Sequence, residues 1–242
     1  MGPICALKDV VRRSWLYKKL GERLSVVKGR SFDKRHGIHT APEVYLHELS
    51  IDSPNVRFGG NYSGTEPKYF RQILNGLNID FEKFTFIDFG SGMGRALFLA
   101  SEKPFKRIVG VEFAHELHEI AEKNIQNFRS PDQKCFDIES VCADATKFNL
   151  PPGPLVCYFF DPFEKEVFKQ VIENLEGSIK RDPREIYVLY ANPQLNYLFE
   201  ENPAFEQVDS GPWHALHRFA AMLNSRSAWP FAALAFMEHA VH

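Results

Sequence analysis

The chain has 242 residues, 44% of them hydrophobic and 25% charged, enough apolar material for one sizeable core and too much for wholesale disorder. Its net charge of −2 excludes a uniformly basic nucleic-acid binder. The charge is uneven, however: residues 1–36 hold ten Lys and Arg against Asp9, Glu22 and Asp33, a net +7 against about −9 for the remainder, so a basic arm for phosphates or a solvated helix on an acidic body is expected at this end.

Residues 6–28 read as one or two short basic helices, with Val10, Val11, Trp15, Leu16 and Leu20 on a rough apolar face. Residues 30–66, including "SPNVRFGGNYSGTEP", are turn-rich and read as loop. Helical periodicity starts just after Pro67, at Tyr69, Phe70, Ile73, Leu74 and Leu77. From residue 84 the text alternates. Strands are predicted over Phe84–Phe89, Arg107–Glu112, Ile138–Ala143, Leu155–Phe160 and Glu185–Tyr190, and helices over Arg95–Glu102, His115–Phe128 and Lys165–Leu175. Apolar strands alternating with amphipathic helices imply parallel crossovers and a sheet covered on both faces. Only ten residues lie between Asp144 and Leu155, so that crossover has room for no more than a short helix. Beyond residue 203, "FEQVDSG" and "FAALAFMEH" (231–239) read as strands, with residues 213–230 as an insertion between them. The expected organisation is a basic helical and loop extension over 1–65 and a main domain over 66–242.

No apolar run approaches the roughly 18–20 residues of a membrane-spanning helix, and no signal-peptide core is seen. The cysteines (Cys5, Cys135, Cys142, Cys157) form no CxxC pair, which fits a reducing compartment. A soluble, cytoplasmic protein is expected. Four HxxH pairs (His36/His39, His115/His118, His214/His217, His239/His242) lack a third ligand nearby, so no metal site is expected.

The text "FIDFGSGMGRALFLA", Phe86–Ala100, carries the chemistry. A strand ending in Asp88 and passing through Gly90, Gly92 and Gly94 into a helix lets a ligand approach bare backbone beside free helix N–H groups. The spacing is G-x-G-x-G, with Arg95 where the dinucleotide fingerprint G-x-G-x-x-G needs its third small residue. Glu112, at the tip of the second strand, suits two ribose hydroxyls, with Phe113 beside it for a base face or for the core. Asp144, in "CADAT", suits an exocyclic amino group, and "YFFDPF" places Asp161 at the end of the fourth strand. All lie at strand carboxyl ends, where open parallel sheets bind ligands.

Taken as a set, Asp88, Gly90, Gly92, Gly94, Glu112, Asp144, Ala145 and Asp161-Pro162-Phe163 resemble the class I S-adenosylmethionine-dependent methyltransferases over about residues 60–210. The resemblance implies an α/β, Rossmann-like, doubly wound and mostly parallel seven-stranded sheet with helices on both faces and one antiparallel strand. It implies S-adenosylmethionine as cofactor, with Gly90, Gly92 and Gly94 lining the methionine portion and Asp88 holding its amino group. Glu112 would bind the ribose, and Asp144 with Ala145 the adenine. "GSGMGRALFLASEKPFKRIVGVEF" is also similar to bacterial methyltransferase-like proteins, and the order of N-terminal loop, helix and "FIDFGSGMGR" resembles the non-SET histone lysine methyltransferases in layout.

The expected activity is methyl transfer to an unidentified acceptor by in-line displacement in a pocket at the strand carboxyl ends. Asp161 is the catalytic candidate, orienting an amine and taking up its proton. Tyr62 and Thr65 are candidates to close over the donor, and Asn192 to face the acceptor. A protein side chain, a small molecule and a nucleic acid all remain open as acceptors. Two other classes stand beside this reading: a non-catalytic scaffold that keeps an adenosyl pocket, and a nicotinamide-dependent oxidoreductase, against which the glycine spacing and Asp144 and Asp161 count.

Overall fold

Five apolar runs become the parallel strands of one sheet in the computed structural model, which describes residues 29–219 apart from 52 and 212. The helices expected over 6–28 and the strand expected over 231–239 lie outside the described residues. The strands are β1 (Thr85–Phe89), β2 (Arg107–Glu112), β3 (Ile138–Cys142), β4 (Leu155–Phe160), β5 (Ile186–Ala191), β6 (Phe205–Gly211) and β7 (His214–Phe219). Their order is β3-β2-β1-β4-β5-β7-β6, with β7 antiparallel to both β5 and β6. The chain reverses direction across the sheet between β1–β2 and β1–β4, the switch point at which such sheets bind ligands.

Alternation along the central strands feeds two cores. Phe86, Val156, Tyr158 and Leu189 point to one face, where they pack with Phe70, Leu74, Leu97 and Phe98. Ile87, Phe89, Cys157, Phe159 and Tyr190 point to the other, against Val167, Phe168, Leu175 and Phe199. The first face is covered by α2 (Pro67–Asn75) and α3 (Arg95–Ala100), the second by α5 (Lys165–Arg181) and α6 (Tyr197–Glu200). Helix α4 (His115–Asn127) packs on β2 and β3.

The structure departs from expectation in three places. Residues 30–66 are not loop throughout: 29–36 form a helical segment, α1, and 46–48 and 56–58 are short 3-10 turns. Helix α5 runs past Leu175 and Gly177 to Arg181, because Ile179 continues the buried stripe of Val171 and Leu175. The segment read as an insertion from residue 213 instead contains β7, paired with β6 in a tight antiparallel hairpin. Its signal was masked by His217, a histidine that is fully buried, stacked on Phe199 and hydrogen-bonded to Asn196 Oδ1 at 2.7 Å. Among the described residues no helix is long and apolar enough to cross a membrane.

Candidate active site

The glycine turn leaves β1 with all three glycines at positive φ: 80° at Gly90, 52° at Gly92 and 89° at Gly94. A Cβ on Gly92 would enter the Tyr62 ring, and one on Gly90 would lie 2.7 Å from Pro162 Cβ. The turn therefore needs glycine both for its dihedrals and for the approach of its neighbours. Glu112, at the tip of β2, holds the turn from below. Its Oε2 accepts from Gly92 N–H and its Oε1 from Ala114 N–H, each at 2.8 Å. Burial pushes the Glu112 carboxyl up, against the pull of those backbone donors.

Asp88, also buried, turns its carboxyl into the same space as Glu112. Burial first, and then the negative charge of Glu112, drive its pKa well above the usual carboxylate range. A cation placed beside this carboxyl would oppose that shift and favour its ionised form.

Asp88, Gly90 and Glu112 line a cleft at the carboxyl ends of the parallel strands. Phe113, Asp144, Ala145 and Asp161 border it too, as do Tyr62 and Thr65 from the segment before α2. The Tyr62 hydroxyl donates to the Thr40 carbonyl at 2.8 Å, and the Thr65 hydroxyl lies 3.4 Å from the Tyr158 hydroxyl.

At the far wall, Asp161 and Asn192 are the two non-glycine residues at positive φ among the described residues, 46° and 51°. Such backbone conformations are tolerated best by Asp and Asn and cluster at functional sites. They end the adjacent strands β4 and β5, and their side chains meet. Asp161 Oδ2 accepts from Asn192 Nδ2 at 3.3 Å, and Oδ1 accepts from the Tyr190 hydroxyl at 3.0 Å. Burial raises the Asp161 pKa, opposed by the Tyr190 donor. A second cavity opens beside this pair, lined by Asn192, Tyr69, Trp213 and also by Thr65 and Phe160. Thr65 and Phe160 line both cavities.

The structure thus brings every residue of the sequence-derived set but Gly92, Gly94 and Asn192 to one cleft; Gly92 lies behind the Tyr62 ring, and Asn192 reaches the cleft through Asp161. Gly94 begins α3 behind the cleft wall. Several contributors were missed from sequence. Arg95 is buried, its Nε–H donates to Thr40 Oγ1 at 2.8 Å, and it lies 3.6 Å from Asp33 Oδ1. Its Nη2 has no hydrogen-bond partner among the described residues. Asn55 lines the cleft and bonds to Asp144. The polar "SPN" turn was the one available signal for Asn55, while nothing local marks Arg95 for burial. Among the described residues no cluster of His, Cys, Asp or Glu is placed to hold a metal ion.

The strand order defines a Rossmann-like α/β domain with a glycine-bordered cleft at its switch point. A family model described as "Histone methylation protein DOT1" matches residues 53–140, the span from the SPN turn through β3. That match takes in the glycine turn and Glu112 and covers 88 of the 242 residues. No curated protein matches the chain. Among solved structures it is similar to a ribosomal protein L11 methylase from Lactobacillus delbrueckii subsp. bulgaricus (15% identity, 67% of this chain and 81% of that one, TM-score 0.45). It is also similar to an RNA methyltransferase from Salinibacter ruber (17% identity, 64% and 91%, TM-score 0.45).

The cleft has chemistry that would suit S-adenosylmethionine. Bare glycine backbone at Gly90, the Asp88 carboxyl for an ammonium and a strand-tip glutamate for a diol line the same space.

Proposed function

We propose that this protein transfers a methyl group from S-adenosylmethionine to an amine nitrogen that reaches the cleft beside Asp161. S-adenosylmethionine supplies a methyl already activated on a sulfonium, so the protein's work is alignment and exclusion of water. In this reading Gly90, Gly92 and Gly94 flank the methionine portion and Asp88 takes its ammonium. Glu112, whose bonds to Gly92 and Ala114 fix the turn, would offer its remaining acceptor capacity to the ribose hydroxyls. Phe113 covers the base, whose edge lies toward Asp144 and Ala145, and Tyr62 and Thr65 close over the donor.

The observation that carries the acceptor side is the Asp161–Asn192 pair, held at the partition between the donor cleft and the second cavity. Asp161 is oriented by Tyr190 and Asn192; its carboxylate would accept the acceptor's N–H and take up its proton, while the nitrogen lone pair displaces the methyl from sulfur and the C–S electron pair leaves with S-adenosylhomocysteine. Asn192 faces the second cavity, where the acceptor's stem would lie. The matching family model is described by methylation of a histone, a protein acceptor, which supports a protein side-chain amine.

The test is transfer of labelled methyl from the donor to protein, RNA and small-molecule fractions. Label is expected in the protein fraction. Asp161→Asn should lower transfer about a hundredfold or more, while S-adenosylhomocysteine binding holds within about twofold. Donor binding with no label in any fraction would favour a scaffold, and label in RNA would replace the protein acceptor.

A further inference from the structure

Asp144 is hydrogen-bonded to capacity by its own chain. Oδ1 accepts from Thr146 N–H at 2.9 Å and from the Thr146 hydroxyl at 2.7 Å. Oδ2 accepts from the Ser53 hydroxyl at 3.0 Å and from Asn55 Nδ2 at 2.8 Å. An ionised carboxylate offers about four lone-pair sites. Burial works to raise the Asp144 pKa, but the donors Thr146, Asn55 and Ser53 outweigh it and hold the carboxyl below its usual range. An adenine amino group arriving here would have to displace a bond that is already made.

The same arrangement fixes Asn55. A carboxylate only accepts, so the amide must present its NH₂ to Asp144, and its orientation follows from chemistry alone. That leaves Asn55 Oδ1 free of hydrogen bonds from the described residues, on a residue that lines the donor cleft together with Asp144 and Ala145. The backbone holds it there as well, since Asn55 N–H donates to Ser53 Oγ at 3.1 Å.

We propose that the side-chain oxygen of Asn55, and not the carboxylate of Asp144, accepts the exocyclic amino group of the adenine, with Asp144 acting as a positioning residue. This rests on the donor reading above and deepens it. The ligand class selected is a 6-aminopurine nucleoside, because a 6-oxopurine would set its carbonyl oxygen against Asn55 Oδ1. The reader of the base then comes from the segment ahead of the sheet, and the strand-tip acid serves to hold it.

The test is a calorimetric comparison of S-adenosylhomocysteine with its 6-oxo counterpart, S-inosylhomocysteine, in the full chain. Wild-type protein should prefer the adenosyl ligand by about tenfold or more. Asn55→Ala should bring the two affinities within about twofold. Asn55→Ser, which keeps a donor toward Asp144 but lacks the carbonyl, should do the same if the alanine variant folds poorly. Ser53→Ala frees the same Asp144 oxygen without removing the amide and should keep the preference. A ratio between two ligands is insensitive to general loosening of the loop. Preference retained in both Asn55 variants overturns this inference alone, whereas folded wild-type protein that binds neither ligand overturns the donor reading with it.

Discussion

Glu112 does two jobs with one carboxylate: it pins Gly92 and Ala114 by their N–H groups and lies in the wall of the cleft. Gly92 is the more sensitive partner, because its φ of 52° and the adjacent Tyr62 ring both exclude a side chain. Gly92→Ala is expected to cost about 1–3 kcal/mol of stability from backbone strain alone, and more if Tyr62 cannot move. Urea unfolding reads that loss, and the variant should bind S-adenosylhomocysteine at least tenfold more weakly. At this scale the sequence was informative where the signal is local. Asp88, the three glycines and Glu112 stand in a recognisable spacing near strand tips. It was uninformative where a role depends on remote partners: Asp144 reads as a free acid until Ser53 and Asn55, 91 and 89 residues away, are seen to occupy it.

Among the elements, the parallel strands were legible because β1, β4 and β5 are buried along nearly their whole length and, apart from Thr85 and Asp88 of β1, carry apolar and aromatic side chains. Strand β7 was not. "HALHRF" hides its core face behind His217, whose pKa burial pushes down to about 4, opposed by Glu200. The ring is neutral in the fold and held between Phe199 and Asn196. Because the folded pKa lies below the ordinary value of 6.5, the unfolded chain takes up the proton first as pH falls. Stability tied to His217 is therefore complete above about pH 6.5 and is lost from there down toward about pH 4. Between about pH 7 and pH 5 the loss should amount to about 2 kcal/mol, measured by urea unfolding at the two values. His217→Gln should flatten that dependence, and an equally steep dependence in the variant would place its origin in other groups.

For the whole molecule, the described part of the N-terminal extension is built into the cleft. Asp33 accepts from Thr40 N–H, the Thr40 hydroxyl and Ala41 N–H, and faces the buried Arg95 of α3. Asn124 of α4 exchanges hydrogen bonds with the backbone of His39 and donates to the Met93 carbonyl. Placing a boundary at residue 65 follows the change in composition, but these contacts cross it, and sequence patterning has no means of pairing polar side chains so far apart. The cleft is thus shared between the sheet, which supplies the glycine turn and the acids, and the preceding segment, which supplies Asn55, Tyr62 and Thr65. The central claim is that this shared cleft is an adenosyl-donor site. Calorimetric titration of S-adenosylhomocysteine and, separately, NADH into wild-type protein and Glu112→Ala tests it most directly. The account predicts micromolar binding of S-adenosylhomocysteine, no heat with NADH, and roughly tenfold or greater weakening in the variant. Binding of NADH with no response to S-adenosylhomocysteine would contradict it and reassign Glu112 to a dinucleotide.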